Sequence, residues 1–349
     1  VVLPNEALAA EMAQIREDLA PSWLKPPLSL AETAQTYLRP ALRSVFLALA
    51  TRPVEEYLAR FGFESELLMA MYAVTDGFSG LSGGFGTAGT GMNFLVHNMC
   101  RLPGSEGTFM IVAGGMGTVS QEFARLAQEA GAEVLTDAAV AEVLTHSGAV
   151  TGVALKDGRE FQAKAVLCNC DPFSMRELIG RDRFPADFNA KLDGLKRLGT
   201  TLKVNLALDR LPTFRCLPEN RGQRNATIHL LPQLPGDHGL IEYLRCQYET
   251  VQQGRLAGFP TIEWYIHTQA DPSLMDEDGH HNAAFFVQWV PYELEGTTWE
   301  AQEERYVRRL FSIAEAFAPG FTESVVDTFT LTPPRSSNTS AYAMAISTM

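Results

Sequence analysis

No stretch of about 18 consecutive apolar residues occurs in the chain, so no transmembrane helix is expected. Basic residues are also in short supply: 28 Lys and Arg stand against 41 Asp and Glu, a net charge of −13. Nucleic acid and anionic membranes both require a basic surface, so neither is expected as a partner. Cysteine is scarce as well. Cys100, Cys168, Cys170, Cys216 and Cys246 are odd in number and irregular in spacing. Cys168-Asn169-Cys170 is too close for a zinc pair, which leaves roughly two to four residues between ligands. A disulfide framework and a metal site are therefore not expected, and the reading is a reduced, cytoplasmic protein whose cysteines are small packing residues. The N-terminus, Val1-Val2-Leu3-Pro4, lacks an initiator Met and the basic and apolar regions of a secretory signal. It reads as a chain that starts inside a longer product or has lost tag residues.

What is present suffices for a sizeable core. Hydrophobic residues make up 46% of 349 and charged residues 20%, enough for two or three domains of about 100–200 residues. Residues 5–20, 30–50 and 53–74 read as helices, the last with Val54, Tyr57, Leu58, Phe61 and Leu68 on one face. A loop is expected at 77–91, which holds seven glycines in fifteen positions. Next comes a helix that follows Gly114-Gly115-Met116-Gly117, with Thr118 and Gln121 as a capping box and Gly131 as its stop. Three strands are expected at 132–145, 150–156 and 160–168, joined by turns at Ser147-Gly148 and Asp157-Gly158. Period-two alternation marks further strands at 201–208 and 261–267, and a nearly continuous apolar run marks one at 283–290. A helix over 300–317 ends at Pro319-Gly320, and from Arg335 onward the chain reads as a polar tail. The fold class is α/β with an α+β second half.

Several motifs carry chemistry, each with a plainer reading beside it. Gly84-Phe85-Gly86-Thr87-Ala88-Gly89 matches G-x-G-x-x-G, but a dinucleotide fingerprint needs a strand before it and an acid about 20 residues on. The preceding segment reads as helix and Glu106 sits in a Pro/Gly loop, so a structural loop is favoured. Gly80-Leu81-Ser82-Gly83-Gly84 matches the G-x-S-x-G nucleophile elbow, with His267 among the later histidines that could serve Ser82 as base. Gly-rich stretches generate this pattern readily. Asp276-Glu277-Asp278-Gly279-His280-His281 is rich in ligand types, yet adjacent residues rarely converge on one ion. Glu263 and His267 on one strand face could be an acid/base pair or a solvated face. Gly114–Gly117 before a helix permits close backbone approach, and the helix N-terminus favours a negative group.

The runs Gly131-Ala132-Glu133-Val134, Val140-Ala141-Glu142-Val143, Gly152-Val153-Ala154-Leu155 and Ala165-Val166-Leu167-Cys168-Asn169-Cys170-Asp171-Pro172 follow that turn in order. Together they resemble the middle of phytoene-desaturase-type FAD-dependent oxidoreductases. Asp271-Pro272-Ser273-Leu274, Val290-Pro291-Tyr292 and Ala318-Pro319-Gly320-Phe321 narrow the resemblance to one branch. It implies an amine-oxidase-like flavoprotein fold, here incomplete, with a mixed-sheet substrate domain over an apolar small molecule. It also implies Gly114, Gly115, Met116 and Gly117 near the flavin and substrate cavity, Val140 beside the adenine end of FAD, and Asn169 at the border of the flavin domain. The family's first-strand G-x-G-x-x-G and its C-terminal flavin motif have no counterpart here, so retention of FAD is an open expectation and the chain reads as truncated. The expected division is a helical part of the substrate domain at 1–105, a partial FAD domain at 106–172, the mixed-sheet substrate domain at 173–334 and a tail at 335–349. Exposed sheet edges lean toward a homodimer. The alternatives are a cofactor-free ester or lactone hydrolase using Ser82 and His267, and a non-catalytic fragment.

Overall fold

The computed structural model describes residues 2–99, 111–234 and 239–338. Cys100, Glu106, Met110 and the expected boundary at 105/106 lie outside the described residues, as does the tail beyond Asn338. The chain forms two compact units. One comprises the described residues up to Gly115 together with those of Gly199–Ser336; the other comprises Met116–Leu198.

The first unit opens with helices α1 (Val2–Leu19), α2 (Leu30–Tyr37), α3 (Arg43–Thr51), α4 (Val54–Leu58), α5 (Glu66–Tyr72) and α6 (Thr90–His97). The single helix expected over 53–74 is broken, because Gly62 takes a left-handed φ of 65° after a short 3-10 turn. Past α5 the backbone widens into a π-turn, Ala73–Gly77. Helices α3 and α6 approach closely at Gly91, where an added Cβ would stand 2.5 Å from the Leu49 carbonyl oxygen. Only glycine fits there.

The second unit holds α7 (Gly117–Glu129), the antiparallel meander β1 (Val140–His146), β2 (Ala149–Leu155) and β3 (Glu160–Gln162), then α8 (Pro172–Ile179) and α9 (Ala186–Leu195). Ser147 and Gly148 turn β1 into β2 with φ of 49° and 81°, the left-handed pair that matches strand twist. The expected strands at 132–145 and 160–168 are shorter in fact: β1 begins only at Val140, and beyond β3 only Ala163 N–H still reaches β2, at the Thr151 carbonyl 2.9 Å away. Thr118 is not a cap: α7 already begins at Gly117, and its N-cap Met116 makes no side-chain capping bond. Residues 173–198 fold with the meander rather than with the later sheet. Here the buried Arg176 binds Asp193 at 2.8 Å.

The rest of the first unit contains β4 (Thr201–Leu208), β5 (Ile228–Leu230), α10 (Leu240–Gln252), β6 (Thr261–Ile266), the short α11 (His267–Ala270), β7 (His281–Gln288), α12 (Trp299–Phe317) and β8 (Val325–Leu331). The strands form one antiparallel sheet in the order β5-β6-β7-β4-β8. Its inner face carries Leu202, Val204, Leu206, Ile262, Trp264, Phe285 and Val287, against which α12 lays Leu310, Ile313 and Ala314. Trp264 anchors this core through edge contacts to Phe214, Phe285 and Phe321 at 5.3, 5.1 and 4.7 Å between ring centres. Pro333–Asn338 forms a short final helix where an unstructured tail was expected. Among the described residues no helix is long and apolar enough to cross a membrane.

Candidate functional site

Alternation along β4, β6 and β7 sends every second side chain to the face opposite the α12 core. The register aligns these residues in rows. Lys203 lies opposite Phe286, Phe286 opposite Glu263, and Glu263 opposite His229, so one row crosses β4, β7, β6 and β5. In the next row Asn205, Ala284 and Tyr265 follow one another. Helical residues meet this face at its β5–β6 end: Thr75 Oγ1 lies 2.9 Å from His229 Nε2, and Asp76 receives the Asn98 side-chain amide at 3.1 Å and lies 3.8 Å from His97 Nδ1.

Burial sets the electrostatics. Glu263 is only 1% exposed, so it does not belong to a solvated strand face. Burial pushes its carboxyl up to about 7, with Asp76 acting in the same direction and the hydrogen bond from Tyr265 opposing. His229 is driven down to about 4 by burial, with Asp76 opposing. Burial also lowers Lys203, whose ammonium has no hydrogen-bond or ion-pair partner among the described residues. His267 is lowered by burial and by Lys203, and its Nδ1 lies 3.0 Å from Asn282 Oδ1. Tyr265 is raised, first by burial and then by Glu263.

Ser82 lies elsewhere in this unit. It is exposed, follows the π-turn rather than a strand, and makes no hydrogen bond to His267 or to any other base among the described residues. Its loop is strapped in place. Gly80 N–H donates to Gln288 Oε1 at 3.1 Å, Thr200 donates to the Leu81 carbonyl at 3.1 Å, and Trp289 Nε1 donates to the Gly83 carbonyl at 2.7 Å. An added Cβ at Gly84 would lie 2.9 Å from the Tyr248 ring. Close packing accounts for Gly77, Gly83, Gly84 and Gly91 and a left-handed backbone for Gly80 and Gly89, and the geometry does not support a nucleophile elbow.

Gly114 and Gly115 close the first unit with φ of 81° and 86°. Gly114 N–H already donates to Asp271 Oδ2 at 2.6 Å, while Asp271 Oδ1 accepts from Ser273 N–H and Oγ. Those bonds, from Ser273 and then Gly114, hold the Asp271 carboxyl below its usual range. Met116 and Gly117 open the second unit, Val140 begins β1 opposite Leu155, and Asn169 is exposed on the extended segment after β3. In the Asp276–His281 segment His280 Nδ1 lies 2.7 Å from Asp276 Oδ2; no group of three or more metal-ligating side chains occurs among the described residues. Cys168, Cys216 and Cys246 are exposed and Cys170 is half-buried, so the described cysteines are not the packing residues expected.

The glycine-rich runs do not form a dinucleotide cradle among the described residues. Gly84–Gly89 leads into α6, but no strand precedes it and Tyr248 and Arg245 crowd it. The Gly114 amide is occupied by Asp271. Among the described residues no strand–glycine–helix cradle stands open to a pyrophosphate.

Lys203, Tyr265, Asp76 and the Asp271 clasp went unmarked as functional candidates in the sequence. Period two places Lys203 and Glu263 on strand faces; their sharing of one row depends on register, and Asp76 joins them only through the packing of the helices.

The family model for flavin containing amine oxidoreductase matches residues 6–249. Pyridine nucleotide-disulfide oxidoreductase domain-containing protein 2 of Mus musculus is 34% identical over 325 residues, covering 90% of this chain and 53% of that protein. Its counterpart in Rattus norvegicus is 32% identical, covering 89% and 53%. The chain thus spans about half the length of these relatives. An oxidoreductase from Methanosarcina mazei shares the fold with a TM-score of 0.52 at 16% identity, covering 86% of this chain and 63% of that one. A putrescine oxidase bound to putrescine shares it with a TM-score of 0.50 at 17% identity, covering 93% and 61%.

Proposed function

The chain belongs to the flavin containing amine oxidoreductase family, and on that premise we propose that it forms the substrate-facing part of a flavin-dependent oxidoreductase acting on an apolar small molecule. One observation carries the reading: on the sheet face opposite the α12 core the polar groups Lys203, Asn205, Glu263, Tyr265 and His229 stand in register beside Phe286, Ala284 and Leu331. A face on which placed polar groups alternate with apolar side chains suits a small, largely apolar ligand that must be oriented.

FAD, the family's cofactor, supplies the redox chemistry when bound. The side chains described here orient the ligand and handle its protons. Because the described residues lack a complete cradle, FAD is expected to be held weakly, by Gly114–Gly117, Val140 and Asn169. The deciding measurement is the visible spectrum of the protein after incubation with FAD and removal of free cofactor. A retained flavin band supports the reading and directs a screen of apolar substrates. A colourless protein overturns it for this chain. Turnover of a chromogenic ester or lactone, abolished in Ser82→Ala, would then replace it with the hydrolase.

A further inference from the structure

Glu263 is a carboxyl that the sheet hides almost completely, and its two oxygens differ. Oε2 accepts the hydroxyl proton of Tyr265, two residues further along β6. Oε1 is buried and meets no donor among the described residues. Directly opposite on β5 stands His229, whose Nδ1 is likewise buried without a partner while Nε2 engages Thr75. The other groups facing this pair are Asp76 on the π-turn, His97 on α6, and Lys203, which stands in the same row beyond Phe286. Among the described residues no ion pair holds Glu263, so burial favours its acid form and places its titration near neutrality.

We propose that Glu263 is a positioning residue that stores the proton exchanged at this face, acting through Tyr265, whose hydroxyl meets the bound molecule. The proposal rests on reading the polar sheet face as the substrate-facing surface. In the forward direction a bound molecule gives a proton to Tyr265 Oη while the phenol's own proton passes to Glu263 Oε2. Tyr265 ends neutral and the carboxylate ends as a carboxylic acid; the reverse transfer returns the proton. Tyr265 could not do this alone, because burial and Glu263 both disfavour its phenolate. His229 is kept neutral and so adds no charge that would pin Glu263 in its ionised form, whereas Asp76 raises the pH at which Glu263 lets its proton go.

The test is a titration by NMR of protein labelled with carbon-13 in its tyrosine rings, without flavin or substrate, between about pH 5 and pH 9, a range that brackets neutrality. Tyr265→Phe assigns the resonance. The Tyr265 signal is expected to show one step near neutrality. The step should vanish in Glu263→Gln, which keeps shape but cannot ionise, and should move to lower pH in Asp76→Asn, which removes a like charge. A flat wild-type signal, or a step unmoved in both variants, overturns the proposal; should Glu263→Gln not fold, the direction of the Asp76→Asn shift decides. The outcome is separable from flavin retention. Colour without the step sinks only the proton store, and the step without colour sinks only the flavin reading.

Discussion

At the scale of single residues, Glu263 and His229 impose opposite pH dependences on stability. Glu263 has a folded value raised from 4.5 to about 7, so the folded state holds a proton that the unfolded chain releases. Its contribution is complete below about pH 4.5 and is lost as pH climbs to about 7. His229 is depressed from 6.5 to about 4, so its contribution is complete above about pH 6.5 and is lost as pH falls toward about 4. The two slopes oppose each other between about pH 4.5 and 6.5, and Glu263 alone acts just above that window. Glu263→Gln should therefore gain stability relative to the wild type between about pH 5 and pH 8, by on the order of 3 kcal/mol. Urea midpoints at the two pH values check this, and an identical pH dependence in both proteins would refute it. None of this could be read from the strand pattern. Period two places Glu263 on a face but is silent on whether that face is wet, and the helical residues that dry it lie far away in the chain.

At the scale of elements, the parts legible in the sequence were those whose burial follows their own period. Strands β4, β6 and β7 and helix α12 fall close to their expected ranges, because each has one face in a single core and records it locally. Errors arose where a partner or a backbone break decides. Residues 132–138 and 164–169 have apolar runs suited to strands but pair with no described strand, and alternation cannot supply one. The break at Gly62 is a matter of φ, which the apolar spacing across 53–74 conceals. Gly91 offers a sharp test of the element packing. Gly91→Ala would drive a Cβ into the Leu49 carbonyl, forcing α3 and α6 apart or distorting the α3 backbone. The expected loss is about 1–3 kcal/mol, the range for overpacking a close contact. Thermal or urea unfolding measures it; a wild-type midpoint would show that the helices do not approach as described.

At the scale of the whole molecule, the second unit is thinly covered. Helix α7 buries none of its residues fully, and Phe123 is 71% exposed. Leu167 is fully open on the extended segment after β3. Apolar surface of this kind favours association. The protein should bind a hydrophobic dye and self-associate with rising concentration, and Phe123→Glu with Leu167→Ser should weaken both, as read by dye fluorescence and sedimentation. A double variant that behaves as the wild type would remove these residues from any role in association.

The Asp271 carboxylate has a consequence for how the chain leaves the first unit. One oxygen secures its own turn and the other grips the amide of Gly114, one residue before that unit ends. The connecting polypeptide therefore departs from a tethered point. A tether of about 1–3 kcal/mol, the worth of a hydrogen bond to a charged group, localises bending to the residues beyond Gly114. Asp271 is thus better understood as a clamp on the end of the first unit than as a ligand for chemistry. Its loss would free the Gly114 amide and let this end of the first unit fray, while leaving the sheet and its polar row unaltered.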